Sequence, residues 1–237
     1  MYEWNDTQRM TRDMVRQFVQ REVKPNLEQL EHGDMPPYPI MRKMIQTFGM
    51  DAVAIDRFDK QIAREEAIAR GEELPEKKGG GGSNPLAAEA AAMSVIPIIE
   101  LCRYCPGMVT AMGVSTGLTG QAIMTKGTIE QKKRWGKEVL TLEKIGAWAI
   151  TEPDSGSDAF GSMKATAKRV EGGFLLNGNK TFITNGPYAD TIVYICKLDE
   201  GNDPADRKIL SFVLDKGTPG LEQSKPLRKM GMHSSPT

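Results

Sequence analysis

Two short segments hold the residue types that could do chemistry. Thr151-Glu152-Pro153-Asp154-Ser155-Gly156-Ser157-Asp158 packs hydroxyls, carboxylates and a glycine into one polar turn. Phe182-Ile183-Thr184-Asn185-Gly186 offers an aromatic face, a hydroxyl and a turn dipeptide. Backbone N–H groups and hydroxyls set beside one aromatic face suit a flat ring with a polar edge. Each segment alone also reads as ordinary turn and strand chemistry, because Thr, Ser, Asp and Gly form turns for purely local reasons. Other candidates carry less. Cys102 and Cys105 form a C-x-x-C, but no second pair or histidine cluster completes a zinc site, so they read as two reduced thiols near a helix end. Cys196 sits in an apolar run and reads as core. His32 lies in a Glu/Gly stretch and His233 near the tail, both surface positions in pattern. Glu152 beside Pro153 reads as structural, with no sign of an altered pKa. No residue takes a catalytic or metal-binding role.

The elements that position these segments divide into two kinds. Met10, Met14 and Phe18 recur every four residues with Val15, Val19 and Val23 alongside, which predicts an amphipathic helix with one apolar stripe. Asp6 or Thr7 is the expected cap and Pro25 the stop. Pro36-Pro37-Tyr38-Pro39 is a turn, and Ile40 to Phe48 a short second helix. Residues 56–85 read as a solvated, flexible insertion, charge-dense and ending in Gly79-Gly80-Gly81-Gly82-Ser83-Asn84-Pro85. No strand precedes those glycines and no Gly-Lys-Ser/Thr follows, so they are not a phosphate loop. Leu86 to Met124 returns to a buried helical pattern, and Thr128-Ile129-Glu130-Gln131 matches a capping box for a helix to about Leu140.

Near Ile145 the period switches to two. Lys164–Val170, Phe174–Leu176, Lys180–Thr184, Thr191–Leu198 and Lys208–Leu214 are expected strands, parted by Glu171-Gly172-Gly173, Asn177-Gly178 and Asn185-Gly186 turns. A helical stretch followed by a β-stretch implies an α+β chain: a helical domain over 1–143 and a β-barrel-like domain over 144–237.

Composition sets the outer limits. The 237 residues carry 31 Lys plus Arg against 31 Asp plus Glu, so no basic field favours nucleic acid. The uncharged run Tyr104–Thr125 is interrupted by glycines, Gln121 and Pro106 and reads as a buried helix rather than a membrane span. An odd, low cysteine count and an N-terminus rich in Arg, Glu and Asp fit a cytoplasmic protein without a secretory signal.

The two segments together resemble the flavin-contacting signatures of the acyl-CoA dehydrogenase family, T-E-P-x-x-G-S-D and K-x-[aromatic]-I-T-N. The order of helical then β-domain is also similar to that family, in which a closing helical bundle follows. Against that pattern the β-domain reads as truncated at Thr237, with an exposed sheet edge. The resemblance implies FAD as cofactor. Trp148, Ile150 and Thr151 would run along the isoalloxazine edge, with the Thr151 hydroxyl near O2, N3 and O4. Gly156 would let the backbone approach closely. Ser157 would reach flavin phosphate or ribityl groups and also the CoA part of the substrate. Phe182, with Ile183 beside it, would pack on the ring, and Thr184 would hydrogen-bond N5. Phe182 stands where many relatives carry Trp, and Asp154-Ser155 replaces a small apolar pair.

The implied reaction is α,β-dehydrogenation of an acyl-CoA, with hydride passing to flavin and electrons on to an electron-transfer flavoprotein, as in fatty-acid metabolism. The family's carboxylate base lies in the closing domain, so this chain alone is expected to be inactive. A homo- or hetero-oligomer is expected. Two other readings stand beside this one: a non-catalytic flavin-binding subunit that needs a partner chain, and a flavin oxygenase on the same fold.

Overall fold

The computed structural model describes residues 3–73 and 85–237, with side chains left undescribed over 85–92. It divides into two compact units, Met1–Met112 with Arg228–Ser235, and Gly113–Leu227 with Pro236–Thr237.

The first unit is helical among its described residues. Helix α1, Asp6–Phe18, starts at Asn5, not at Asp6 or Thr7. The Asn5 side chain accepts from the Gln8 N–H while Gln8 Oε1 accepts from the Asn5 N–H, a reciprocal box that needs an amide or acid three residues on. The chain continues through a π-turn at Val19–Val23 and a 3₁₀ turn at Lys24–Asn26 that takes in Pro25. Val15, Phe18, Val19 and Val23 are buried as the stripe predicts, but Met10 and Met14 are exposed. Helices α2 (Leu27–Glu31) and α3 (Tyr38–Thr47) follow. The expectation of a flexible insertion fails over residues 56–69. Helix α4 runs Met50–Ala69 and buries Phe58, Ile62 and Ala67, whose spacing puts a thin apolar edge on a charged helix. The glycine run lies outside the described residues. Helix α5, Pro85–Cys102, places Glu100 against α1, where Arg16 holds it with two 2.9 Å bonds. After α6, Pro106–Met112, the segment 228–235 returns to this unit. Glu31 accepts from the His233 N–H at 3.0 Å and from the Ser234 hydroxyl. Cys105 is buried next to Glu31, and burial pushes its thiol up to about 11, so it is inert.

The second unit opens with helical turns: a π-helical Gly113–Gly120, α7 (Gln121–Lys126), α8 (Ile129–Gln131), a π-turn at Lys132–Gly136 and α9 (Lys137–Leu140). The Thr128–Gln131 capping box is present. These turns belong with the sheet because strand β1, Gly146–Ala149, lies directly on them. A Cβ on Gly146 would meet Thr119 Cγ2 at 2.7 Å, and the Gly146 N–H donates to Ser115 Oγ at 2.8 Å.

Strand β4, Thr191–Leu198, is buried at all eight positions, the pattern of a central strand rather than of a half-exposed one. One edge pairs in parallel with β1 from Gly146↔Thr191 to Ala149↔Tyr194, then with β2 (Thr166–Val170) at Thr166↔Lys197 and Ala167↔Leu198. The other edge pairs antiparallel with β5, Ile209–Asp215. β2 and β3 (Gly173–Asn177) form a hairpin closed at Gly172, which takes φ 80°. The sheet does not close: among the described residues β3 pairs only with β2, and β5 only with β4. The expected strand Lys180–Thr184 does not form. Phe182 turns to φ 55° and Asn185 to φ 67°, and a strand cannot continue through left-handed residues.

Candidate functional site

Both sequence segments lie in the second unit, and buried charge joins them. Glu152 follows β1 and closes a tight turn with Ser155 through two backbone bonds of 3.0 and 3.1 Å, which carries Gly156 and Ser157 out to solvent. Its side chain, 5% exposed, turns inward. There Oε2 accepts from the Lys164 N–H at 2.7 Å and Oε1 from the Ala165 N–H at 2.9 Å. Lys180, 6% exposed, completes the set: its ammonium donates to Glu152 Oε1 at 2.8 Å and to the Ile150 carbonyl at 2.9 Å. It also stands 5.3 Å from the Tyr194 ring centre. The next residue adds a backbone bond, Thr181 N–H to Thr151 C=O at 2.9 Å. The run from Ile150 to Glu152 therefore lies alongside Lys180 and Thr181.

These bonds set the electrostatics. Burial acts to raise the Glu152 carboxyl, but the bonds from Lys180, Lys164 N–H and Ala165 N–H outweigh it and hold the group below the usual carboxylate range. The pKa is altered after all, in the direction that unsuits Glu152 as a base. Burial also raises the Tyr194 phenol, to about 12, and the Cys196 thiol, to about 11, so both stay neutral.

Beyond the pairing, the second segment breaks out of extended geometry. Phe182 sits at φ 55° with 69% of its surface exposed, an aromatic ring held out in solvent by a backbone conformation that L-residues avoid. Asn185, fully buried, fixes the turn beyond it: its Nδ2 donates to the Gly146 carbonyl at 2.9 Å and its N–H to the Pro236 carbonyl at 2.7 Å. Neither Lys180 nor Asn185 was among the predicted site residues, since each side chain acts on a backbone distant in sequence; the first and last letters of the K-x-[aromatic]-I-T-N pattern were the available signal.

The predicted residues fall into three groups. The Thr181 N–H to Thr151 C=O bond sets Thr151 beside the start of the second segment, with Phe182 and Thr184 one and three residues further on. Trp148, Ile150 and Ile183 pack half-buried on the sheet core, so what they can present to a ligand is mainly backbone. Gly156 and Ser157 ride on the exposed turn, and no atom of the chain lies within 4 Å of where a Gly156 Cβ would project. The Thr151, Ser157 and Thr184 hydroxyls have no hydrogen-bond partner among the described residues. A cleft of about 660 Å³ with a mixed polar and apolar lining opens beside the second segment, walled by Phe174, Tyr194, Phe212, Gln223 and the run Lys180–Ile183. It shares only Phe182 and Ile183 with the predicted residues, and the unspent donors lie outside it.

Among the described residues, no group of His, Cys, Asp and Glu could hold a metal ion, and no helix is long and apolar enough to cross a membrane. The model of the acyl-CoA dehydrogenase N-terminal domain matches residues 5–57 and 66–143, and that of the middle domain matches residues 147–237. The chain belongs to the acyl-CoA dehydrogenase family. It is 33% identical to an acyl-CoA dehydrogenase of Bacillus subtilis (strain 168), over 96% of this chain and 52% of that one. It is 31% identical to the mitochondrial isovaleryl-CoA dehydrogenase of Solanum tuberosum, over 99% of this chain and 50% of that one. Among solved structures it resembles an acyl-CoA dehydrogenase complexed with FAD from Bacillus anthracis, with TM-score 0.64 and 27% identity, over 99% of this chain and 35% of that one. The chain spans about half the length of the curated relatives it matches.

Proposed function

We propose that this chain supplies the FAD-binding face of an acyl-CoA dehydrogenase. One observation carries the reading: Lys180 and Thr181 fasten the second segment along the first, and Phe182 then projects into solvent from a left-handed backbone. A chain with no ring to meet gains nothing from exposing an aromatic residue at a strained position. The unspent hydroxyls and the open space at Gly156 also fit a flat group with a polar edge. FAD, when bound, accepts the hydride that leaves the β-carbon of the acyl-CoA.

The protein's part is positioning. Phe182, with Ile183 beside it, would pack against the ring, and Trp148, packed on the sheet core, would lie along its edge. Backbone at Ile150 and the Thr151 hydroxyl would hold the polar edge of the ring, and the Thr184 hydroxyl would supply a further donor to it. Ser157, on its exposed turn, reaches both the cofactor and the CoA portion of the substrate. The carboxylate that removes the α-proton is supplied from outside these residues, because Glu152 is buried, accepts three hydrogen bonds and is held below the usual carboxylate range, the wrong direction for a base. An electron-transfer flavoprotein would be the acceptor of the electrons, and the working enzyme would be an oligomer.

Titration of the full chain with FAD, read by quenching of flavin fluorescence, tests the reading. Saturable binding is expected, weakened several-fold by Thr184→Val and by Ser157→Ala. Absence of saturable binding overturns it. Anaerobic addition of acyl-CoA to the flavin-loaded chain should leave the oxidised band unbleached until the polypeptide that carries the base is added.

A further inference from the structure

Lys180 and Glu152 form an ion pair that is almost fully buried, 6% and 5% exposed, and it belongs to neither the ring-facing nor the substrate-facing residues. Buried pairs add little net stability, because withdrawing two charges from water offsets most of their attraction. Apolar residues of similar volume would pack the same space without that cost. The geometry of this pair explains its presence differently. The Glu152 carboxylate accepts three bonds, from two backbone N–H groups that begin the run into β2 and from Lys180. The ammonium is divided among the Ile150 carbonyl, the Glu152 carboxylate and the Tyr194 ring face of β4. Three separate stretches, 150–152, 164–165 and 180, thus meet at one pair of charges. Among the described residues, the Thr181 N–H to Thr151 C=O bond otherwise ties the two segments here, and Asn185, bonded to the Gly146 carbonyl, holds the far end of the second one. Neutral bonds at the two ends leave the register of the irregular stretch between them looser than a charged group with fixed partners on both sides does.

We infer that the Lys180–Glu152 pair is a positioning clamp, which sets the register of the Phe182–Thr184 segment against Thr151 rather than holding the unit folded. The clamp touches neither cofactor nor substrate and acts through the segments that do. Its link to flavin rests on the function proposed above, while its effect on register does not.

The double variant Lys180→Met/Glu152→Gln tests it in the full chain, since it removes both charges and strands neither. Two readouts are paired: amide hydrogen exchange residue by residue, and the Kd for FAD. The clamp predicts at least tenfold faster exchange at the Thr181 amide with the β4 amides, Ile192 to Cys196, unchanged, and an FAD Kd raised at least tenfold. Exchange at Thr181 and FAD affinity both within twofold of the parent overturn it. So does faster exchange spread equally over β4, the mark of a merely structural pair. Should the double variant not fold, Lys180→Arg replaces it. That change keeps the charge but presents a planar fork, which cannot reproduce the ammonium's placement between Ile150 and Glu152; the same readouts decide. A parent chain that fails to bind FAD defeats the proposed function alone, and the Thr181 exchange rate still decides the clamp.

Discussion

Phe182 is unfavourable twice over in the isolated chain: its ring is 69% exposed and its backbone takes φ 55°. A left-handed L-residue costs about 1–2 kcal/mol. Glycine removes that cost and returns roughly 0.5–1 kcal/mol of chain entropy to the unfolded state. Phe182→Gly should therefore leave stability unchanged or raise it by up to about 1.5 kcal/mol in equilibrium unfolding. FAD affinity should fall at least several-fold, because ring packing contributes about 0.5–1.5 kcal/mol beyond the area covered. A variant that is clearly less stable yet binds FAD as before would show that the strain serves packing within the chain.

Glu152 offers a second test at the same scale. Its carboxyl is held below the ordinary range, so the unfolded chain takes up this proton first as pH falls. The contribution is full above the unfolded carboxylate pKa of about 4.3 and is lost as pH drops through the lower, folded value. Glu152→Gln should melt at lower temperature than the parent near pH 7, with the gap narrowing below about pH 4.3. Parallel Tm–pH curves for the two proteins would mean that Glu152 is not the group responsible.

At the level of elements, what could be read from the sequence is whatever local chemistry decides. The Thr128–Gln131 capping box, the β2–β3 hairpin turn at Gly172 and the run that becomes β4 are each specified by residues within a few positions of one another. Elements decided by distant partners read wrongly. Lys180 to Thr184 has a strand's composition, but Lys180 is captured by Ile150 and Glu152, thirty and twenty-eight residues away, and the chain leaves extended geometry two residues later. The charge-dense stretch after residue 56 looks like solvated insertion, yet Phe58, Ile62 and Ala67 form a buried edge along helix α4. Met10 and Met14 follow the period of α1 but not its buried face, because that face is set by Val15, Phe18, Val19 and Val23. The candidate site divides in the same way. The residues proposed to meet a ligand stood out as a motif, and Lys180 and Asn185 stand at its two ends, but their work, holding backbone far off in sequence, could not be read there.

For the molecule as a whole, the open sheet has the largest consequence. β3 lies at an edge and exposes Leu175, 60% exposed, and Val170 on its hairpin partner, 51% exposed, shares that face by the register of the pair. An edge strand with unpaired backbone groups and apolar side chains is a template for pairing with another chain. The isolated 237-residue chain should therefore self-associate as concentration rises. Leu175→Lys puts a charge on that edge without opening any buried space, and an exposed substitution of this kind moves stability by about 0.5 kcal/mol or less. Static light scattering across a concentration series should show weaker association for the variant at an unchanged Tm. A second apolar surface, on helices α1 and α5, exposes Met10, Met14, Ile98 and Ile99. If Leu175→Lys leaves association untouched and Met14→Lys abolishes it, the helical face and not the sheet edge is where the copies meet.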